Sequence, residues 1–465
     1  MSGITRRELL KRGALAAASL ALSPRFVFPA RAARPRKPNI LFLNTDQQHI
    51  LALSARGNPH LRTPNMDRLA KRGVTFVESV SANPVCAPAR CCWFTGRASS
   101  ETGIVWNTYR IRPGLPDLGT WLRERGYETA YIGKFHVPGL NEREIFNLAM
   151  ANANVFGQHD DAVMSRAAEA FLRTYSGENP FFLSVGFLQP HDNNFWVFEH
   201  CSEAETPPPV SDDRLPPLPP NFDCYENEPV GIYRPKGAKS GRLTQNWSTL
   251  QWRHYIWSYY RMVEMVDADL GRVLDALADS KHAANTLLIF SCDHGEGLGH
   301  HRLWSKGFLY DEALKVPLVI SWPGQVAEGV IDRNHLVSGL DFAPTVCDYA
   351  GISPPPKMRG YSLRPLLEGK AKDWREFAVS ESNVNGQMIR TPEYKLITYK
   401  RAAPDQLFDM RNDPWETRNL VNDSRHADTL RDLRRLLLEY DARLEKAELR
   451  LANDPHAEQI EARWA

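Results

Sequence analysis

The chain has 465 residues, of which 43% are hydrophobic and 24% are charged, and its formal net charge at pH 7 is +2. This composition is typical of a soluble globular protein, and the length predicts roughly two to three domain-sized units. The first 32 residues carry six basic side chains against one acidic side chain, which leaves a net charge of −3 on the remainder. The remainder therefore lacks the basic excess of nucleic-acid-binding proteins, and no nucleic acid partner is expected.

Residues 1–32 have the parts of a bacterial export signal in the expected order. A twin-arginine box at Thr5–Lys11 precedes an alanine-rich apolar run at Gly13–Leu22 and a small-x-small cleavage site at Ala30–Ala32. The apolar run is about half of the ~20 residues that span a bilayer, so no permanent membrane span is expected. We predict export by the twin-arginine pathway to the periplasm or the exterior; a disordered basic tail is the alternative.

Four continuous apolar runs of strand length follow along the chain, and each ends in polar residues. They are Asn39–Leu43 before Asp46 and Gln47, Thr129–Ile132 before Lys134 and His136, Pro180–Phe187 before His191, and Thr286–Phe290 before Asp293 and His294. Runs that are apolar on both faces are typical of strands buried in a parallel sheet. Because the carboxyl ends of parallel strands share one edge of the sheet, these polar residues are expected to form one site.

Helical patterns separate these strands. The sequence predicts helices at 64–73, with Thr63 as the cap, and at 118–125, 161–175 and 247–278, together with a strand at Val74–Val77. We therefore predict an α/β fold with a mostly parallel central sheet flanked by helices.

The second half of the chain contains two breaks in this pattern. The proline-rich segment from Cys201 to Lys239 predicts a long surface loop, which is either inert or part of a pocket rim. Prolines 354–356 predict a boundary between a catalytic domain of residues 33–352 and a smaller C-terminal α+β domain of residues 353–465. In the latter we expect strands at Tyr394–Tyr399 and Gln406–Asp409 and a helix at Arg425–Leu449.

Two strand ends supply candidate metal ligands. Asp46, Gln47, Asp293 and His294 offer oxygen and nitrogen donors of the kind that Ca²⁺ or Mg²⁺ selects, whereas a zinc site would use more His or Cys ligands. The alternative is that each is an ordinary capping or ion-paired residue. The cysteines number seven, an odd set for an oxidising compartment, and both disulfides and buried free thiols are compatible with their spacing.

Several short motifs now point to one family. The segment Cys86-Ala87-Pro88-Ala89-Arg90, with Thr95-Gly96-Arg97 after it, resembles the signature of the type I sulfatases of the alkaline-phosphatase-like superfamily. Further family motifs match Lys134-Phe135-His136, Pro190-His191, Trp304-Ser305-Lys306-Gly307 and the segment from Leu407 to Leu420. The resemblance runs from about Pro38 to Leu420, and it implies a sulfuric ester hydrolase with the alkaline-phosphatase-like fold.

The resemblance also implies how the cofactors are arranged. A formylglycine-generating enzyme would oxidise Cys86 to formylglycine, and one hydroxyl of its hydrate would attack the sulfur of a sulfate ester. A divalent cation, usually calcium with magnesium possible, would be held by Asp46, Gln47, Asp293, His294 and residue 86.

The same resemblance assigns roles to the other catalytic residues. Arg90 and Lys134 would hold the oxygens of residue 86, and His136 would take the proton of its second hydroxyl. His191 and Lys306 would contact the sulfate and protonate the departing alcohol, which suits a histidine near its ordinary pKa of ~6.5.

Three hypotheses follow for the substrate. A sulfated carbohydrate is preferred, with Asn107 and Asn194 as expected contacts to sugar hydroxyls. Many members have an aspartate where this chain has Gln47, and the Asp-Gln form also occurs in phosphonate monoester hydrolases, which suggests a phosphonate or phosphate diester as the second hypothesis. The third is an unmodified, inactive relative that binds sulfated glycans.

Overall fold

The computed structural model describes residues 37–151, 156–200, 208–227, 243–382, 386–399 and 404–451. The expected export signal, Cys201 and much of the proline-rich segment lie outside these residues. Within them, no helix has both the length and the apolar character needed to cross a membrane.

The strands, in chain order, are β1 Asn39–Asp46, β2 Val74–Phe76, β3 Ser79–Val80, β4 Glu128–Gly133, β5 Leu148–Ala151, β6 Phe181–Pro190, β7 Thr286–Cys292, β8 Leu318–Ser321, β9 Val330–Asp332, β10 Val337–Ser338, β11 Ala378–Ser382, β12 Gly386–Arg390, β13 Tyr394–Tyr399 and β14 Gln406–Asp409. The α-helices are α1 Pro64–Lys71, α2 Cys86–Thr95, α3 Ser99–Thr102, α4 Leu118–Arg123, α5 Glu142–Ile145, α6 Gly157–Thr174, α7 Asn193–His200, α8 Thr249–Ala278, α9 Asp311–Leu314, α10 Phe342–Ala350, α11 Arg364–Leu367 and α12 Ala427–Asp441.

The central sheet has the strand order β5-β4-β6-β1-β7-β8-β2-β9. Strand β1 lies in the middle and pairs in parallel with β6 and β7, while β8 runs antiparallel to both β7 and β2. The predicted α/β fold with a mostly parallel central sheet is therefore confirmed.

Both faces of this sheet are covered, which explains why its central strands are apolar throughout. Leu41 and Leu43 of β1 lie in a core cluster with residues of α6 and α8. Ile40 and Phe42, which point to the opposite face, lie in a second cluster with residues of α2 and α10. Alternation along β1 thus anchors helix α2, which begins at Cys86, against the sheet.

A small antiparallel sheet, β11-β12-β13-β14, follows toward the C-terminus. Lys395 of β13 is fully buried, and its Nζ lies 2.8 Å from Asp311 Oδ1 and 2.7 Å from Glu416 Oε1. From Lys37 onward the described residues form one compact unit. The domain boundary after residue 352 stays a prediction.

The predicted C-terminal helix is too long. It ends at Asp441, and the chain beyond it runs beside the segment that follows the Cys86 helix. The Glu445 N–H donates to Glu101 Oε1 at 3.0 Å, and the Ala447 N–H donates to the Ser100 carbonyl at 2.8 Å. These tertiary contacts override the helical propensity of residues 443–449.

The predicted cap of helix α1 is also corrected. Thr63 stands at the cap position, but its hydroxyl accepts from the Ser54 N–H at 2.9 Å rather than from the helix. Asp267 of α8 accepts from the N–H groups of Asn65 and Met66 instead. A carboxylate about two hundred residues away in sequence thus caps this helix, and a local pattern cannot reveal it.

The structure also bears on two further expectations, which concern the proline-rich segment and the cysteines. Part of the proline-rich segment is buried rather than a surface loop, because Leu215, Asn221 and Phe222 are buried and Asn221 Nδ2 donates to Glu312 Oε1 at 3.0 Å. The sequence left both disulfides and free thiols open for the cysteines. The structure shows free thiols at Cys86, Cys91, Cys92, Cys292 and Cys347.

Candidate active site

The polar ends of four neighbouring strands meet at one edge of the central sheet. Asp46 ends β1, Lys134 follows β4, His191 follows β6 and Asp293 follows β7. Lys134 Nζ lies 2.6 Å from Asp46 Oδ2, and the N–H of Gln47 donates to Asp293 Oδ1 at 3.1 Å. The structure therefore brings these predicted site residues together at the carboxyl edge, where open α/β sheets bind ligands.

Cys86 is the first residue of helix α2 and is buried at the same edge. The N–H of the next residue, Ala87, donates to Asn107 Oδ1 at 3.0 Å, so that the Asn107 side chain caps the first turn of the helix. The positive end of the helix dipole lies at Cys86, which favours negative charge there.

Arg90 lies one turn further along α2 and is fully buried. Its Nε donates to Asp293 Oδ2 at 2.9 Å and its Nη2 to Asp46 Oδ2 at 3.1 Å. Its Nη1 donates to the carbonyl of Lys134 at 2.6 Å and to Asn44 Oδ1 at 3.1 Å. The hydrogen bonds of Arg90 therefore orient the two carboxylates, and its expected contact with the oxygens of a modified residue 86 stays a prediction.

The other carboxylate oxygens face Cys86. Cys86 Sγ lies 3.7 Å from Asp46 Oδ1 and 3.2 Å from His294 Nε2, and His294 Nε2 lies 3.7 Å from Asp293 Oδ1. The ligand atoms of these four buried residues all lie within 4.8 Å of one another. Such a group can hold a metal ion.

Gln47 presents its amide oxygen to the same region. Gln47 Oε1 accepts from Lys306 Nζ at 2.6 Å, and that ammonium group also donates to Cys86 Sγ at 3.1 Å. Asn194 exchanges two hydrogen bonds with the Gln47 amide, at 3.0 and 3.2 Å. Lys306 therefore links the candidate metal ligands to Cys86.

Glu296, which no sequence motif assigned to the site, is fully buried behind Gln47. Its carboxylate accepts from Gln47 Nε2, from the N–H of Ser305, and from the Tyr255 hydroxyl at 2.6 Å. Burial raises the pKa of Glu296 above its usual value, and the hydrogen bonds from Tyr255 and Gln47 oppose that rise. The available signal was an acidic residue two positions after His294.

Gly295 allows the loop that carries Asp293 and His294 to lie against helix α9. A Cβ atom at this position would stand 1.9 Å from the carbonyl oxygen of Glu312. The N–H of Gly295 instead donates to the Ala313 carbonyl at 2.8 Å. A side chain here would displace both candidate ligands.

The charges around Cys86 favour its ionised form. Burial would raise the pKa of the Cys86 thiol, but Lys306, Lys134 and His294 lower it well below its usual value. Burial would likewise raise the pKa of the Asp46 carboxyl, which the positive charges of Lys134 and Lys306 hold well below its usual range. The site is therefore built to stabilise negative charge at residue 86.

His136 and His191 are both half-buried beside Cys86. Both lie close enough to Cys86 for the ionisation of the thiol to be coupled to them, and the Nδ1 atom of each has no hydrogen-bond partner among the described residues. Burial and the charges of Lys306 and Lys134 lower the pKa of His191 to about 4. The expectation of an ordinary pKa for His191 is thus corrected, since its pKa lies well below ~6.5.

Asn107 and Asn194 are not arranged as the sequence analysis expected. Asn107 caps the Cys86 helix, while Asn194 is buried and bonds Gln47 and the carbonyl of His191. Both amides therefore have partners within the protein, and a contact between either of them and a sugar stays a prediction.

Aromatic rings lie beside the site instead. The ring of Phe195 lies 6.2 Å from that of His191 and 4.6 Å from that of Phe156, measured between centroids. Phe198 lies against Trp304 at 6.0 Å. Phe156 and Phe198 are 40% and 44% exposed, so they form an accessible apolar surface.

Comparison with known protein families gives two matches. Residues 38–352 match the family model described as Sulfatase, and residues 299–443 match the model described as N-sulphoglucosamine sulphohydrolase, C-terminal. The first match contains all the site residues described above. The second contains Lys306 and the small antiparallel sheet.

Individual relatives cover most of the chain. The chain is 30% identical to a Delta 4,5-hexuronate-2-O-sulfatase of Bacteroides thetaiotaomicron, over 89% of this chain and 91% of that protein. It is 26% identical to an N-acetylglucosamine-6-O-sulfatase of the same organism, over 87% and 86% of the two chains.

Solved structures give the same fold. That of a 2-O GAG sulfatase has a TM-score of 0.80 at 29% identity, covering 91% of this chain and 96% of the other. A phosphonate monoester hydrolase of Agrobacterium radiobacter has a TM-score of 0.75 at 22% identity, covering 88% and 96%, a similarity that extends to the fold alone.

Proposed function

Because the chain belongs to the sulfatase family of sulfuric ester hydrolases, we propose that it hydrolyses a sulfate ester of a sulfated carbohydrate through a formylglycine formed from Cys86 and a divalent cation. The observation that carries this proposal is the position of Cys86 Sγ, which Lys306 contacts at 3.1 Å beside the buried group of Asp46, Asp293 and His294. Two relatives whose names specify sugar sulfates, and the aromatic surface beside His191, support a carbohydrate substrate.

The donor set fits a hard divalent cation. Asp46 Oδ1 faces His294 Nε2, while the Oδ2 atoms of Asp46 and Asp293 both bond Arg90. Asp293 Oδ1 also faces His294 Nε2, and it accepts hydrogen bonds from the N–H groups of Gln47 and His294 at 3.1 and 2.9 Å. Carboxylate and amide oxygens are ligands that calcium or magnesium selects. Asp46, Gln47, Asp293, His294 and the oxygen of modified residue 86 would hold the cation. When bound, it would supply the positive charge that makes a residue-86 oxygen nucleophilic near neutral pH.

The protein's own groups then bind the sulfate and move protons. Lys134 and Lys306 place two ammonium groups around residue 86, where they stabilise a tetrahedral oxyanion. His136 lies beside residue 86, and we assign it the role of accepting the proton of residue 86. His191 is neutral at pH 7, so it donates a hydrogen bond to the sulfate, whereas the Lys306 ammonium is the group positioned to protonate the departing alcohol.

This division between Lys306 and His191 predicts an effect that depends on the leaving group. Lys306→Met should lower kcat/KM for a sugar sulfate by about 10²–10⁴-fold, because a sugar alkoxide needs a proton to depart. It should also slow nitrophenyl sulfate, because one ammonium group that stabilises the oxyanion is lost, but by a smaller factor, since nitrophenolate leaves without a proton. His191→Asn should slow both substrates equally. Steady-state kinetics on the two substrates measures the ratio, and a selective loss with His191→Asn in place of Lys306→Met would reverse the assignment.

The phosphonate hypothesis is not favoured. The relatives that cover most of the chain carry sulfatase names, and the similarity to the phosphonate monoester hydrolase lies at 22% identity. Gln47, which suggested that hypothesis, is held here by Asn194 and Glu296 as part of the same cluster. The inactive glycan-binding alternative stays a prediction that the modification state of Cys86 decides.

We also propose export by the twin-arginine route and oxidation of Cys86 by a formylglycine-generating enzyme. Mass spectrometry of the protein from the periplasm of its native host tests both proposals. We expect an N-terminus at residue 33 and a loss of about 18 Da from the peptide that contains residue 86, as thiol becomes aldehyde. The same preparation should release sulfate from defined sulfated mono- or disaccharides with multiple turnover. An intact thiol at residue 86 in active protein would overturn the mechanism, and an uncleaved cytoplasmic chain would overturn the export route.

A further inference from the structure

Glu296 uses its two carboxylate oxygens differently. Glu296 Oε1 accepts three hydrogen bonds, from the Tyr255 hydroxyl at 2.6 Å, from the Leu298 N–H at 3.3 Å and from the Ser305 N–H. Glu296 Oε2 accepts from Gln47 Nε2. The three donors on the first oxygen hold the carboxylate rigid, so that the second oxygen offers Gln47 a fixed acceptor.

A glutamine needs such an acceptor if it is to serve as a metal ligand. The two ends of its amide have nearly the same shape, but only the oxygen can bind a cation. An aspartate, which many family members have at the position of Gln47, does not face this choice. Gln47 must therefore have its NH₂ group engaged elsewhere, and Glu296 is the buried acceptor on that side.

Asn194 fixes the same orientation from a second direction. Its Nδ2 donates to the carbonyl of His191 at 3.1 Å, which determines which end of this amide is the donor. That same Nδ2 donates to Gln47 Oε1 at 3.0 Å, while Asn194 Oδ1 accepts from Gln47 Nε2 at 3.2 Å. Both neighbours thus require the Gln47 oxygen to face Lys306, whose ammonium group also contacts Cys86.

We propose that Glu296 is a positioning residue that locks the Gln47 amide with its oxygen toward the bound cation. Glu296 acts through Gln47 and contacts neither the substrate nor the cation. The inference rests on the cation site of the proposed function and extends it to a residue behind the ligands. Groups that orient metal ligands typically change metal affinity by about 10–100-fold when they are replaced.

Glu296→Gln is the direct test. The three donors would keep the oxygen of the introduced amide in place, so the NH₂ group of that amide would face the NH₂ group of Gln47. Gln47 would then have to rotate and present nitrogen to the cation. Isothermal titration of EDTA-stripped protein with CaCl₂ should show an affinity about 10–100-fold below that of the unmutated protein. The melting temperature in EDTA reports separately on folding.

The exchanged pair Gln47→Glu with Glu296→Gln supplies the rescue. The carboxylate introduced at position 47 would offer one oxygen to the cation, and its other oxygen would accept from the NH₂ group introduced at position 296. This exchange preserves the total charge and the hydrogen bond between positions 47 and 296, whereas the bond from position 47 to Asn194 Oδ1 is lost. We expect calcium affinity within about threefold of the unmutated protein, since outer groups act through ligand orientation.

Glu101→Gln is the matched control for the loss of a buried carboxylate. Glu101 is buried and bonds Arg97 and Arg359 away from the site. This substitution should lower the melting temperature without changing calcium affinity.

The outcomes separate this inference from the proposed function. Unchanged calcium affinity in folded Glu296→Gln, or an exchanged pair that binds calcium no better than Glu296→Gln, would overturn it. So would failure of the exchanged pair to fold, or an unmutated protein that binds no calcium. Loss and rescue of calcium affinity in a protein that releases no sulfate would support the inference while refuting the sulfatase proposal.

Discussion

Replacing Cys86 with serine is expected to abolish multiple turnover while leaving the fold intact. Serine is close to cysteine in size, so the first turn of α2 and its cap by Asn107 should persist. An unoxidised serine would keep the sulfate as an ester, because it lacks the second hydroxyl whose deprotonation expels sulfate and restores the aldehyde in the proposed chemistry. We expect kcat/KM for a sulfated sugar to fall by at least about 10⁴-fold, as when a nucleophile is removed from an enzyme. Steady-state release of sulfate measures this loss.

The control for this substitution lies on the same helix. Cys91 is a buried thiol of α2 that packs in the core on the sheet side. Cys91→Ala should cost stability of about 1 kcal/mol, as for a small core truncation, with kcat/KM within a few-fold of the unmutated value. A Cys86→Ser protein whose turnover stays within tenfold of the unmutated protein would contradict the assigned chemistry.

Replacing Arg90 with methionine is expected to have the largest effect on stability. The guanidinium group bonds two fully buried carboxylates, Asp46 and Asp293, and the amide oxygen of Asn44. These three residues lie at or next to the ends of strands β1 and β7. Breaking a buried ion pair by removing one partner typically costs about 3–5 kcal/mol, because the remaining charge is left uncompensated. We expect the free energy of unfolding to fall by about that amount in urea titrations, run in EDTA so that cation binding does not contribute.

A surface pair provides the comparison. Arg68 and Asp275 form an ion pair at 2.6 Å, and their side chains are 33% and 62% exposed. Arg68→Met should cost less than about 1 kcal/mol, since water screens exposed charges. Equal losses in the two variants would show that Arg90 does not compensate a buried charge. Arg90→Met should also lose calcium affinity, because the two carboxylates would no longer be held in place.

Much of the architecture could be predicted because it depends on local patterns. Strands β1, β4, β6 and β7 are apolar on both faces, and the polar residues after them lie together as expected. Helix α8 begins within two residues of its predicted start and ends where it was predicted to end. The cap of α1 and the end of α12 could not be predicted, because Asp267 and Glu101 act on them from distant parts of the chain.

In the site as well, local motifs predicted some features and distant contacts decided others. Motif resemblance identified the residues that surround Cys86, but it did not identify which groups each of them bonds. Arg90 bonds carboxylates because both β1 and β7 end beside it, which is a property of the assembled sheet. The lowered pKa of His191 results from burial together with the charges of Lys306 and Lys134, which only the folded chain brings together. Glu296 can accept a hydrogen bond from Gln47 only because the fold places the two side chains next to each other.

The burial of Cys86 sets an order of events in the life of the protein. Cys86 is only 1% exposed in the folded protein, so the oxidising enzyme that we propose would have to reach it before the strands close over it. Lys306, which covers it, is encoded 220 residues later. At roughly 5–20 residues per second, the ribosome needs on the order of 10–40 s to reach that point. On our proposal, this interval of synthesis is when the nascent chain is open to maturation, so slower translation should yield a larger active fraction.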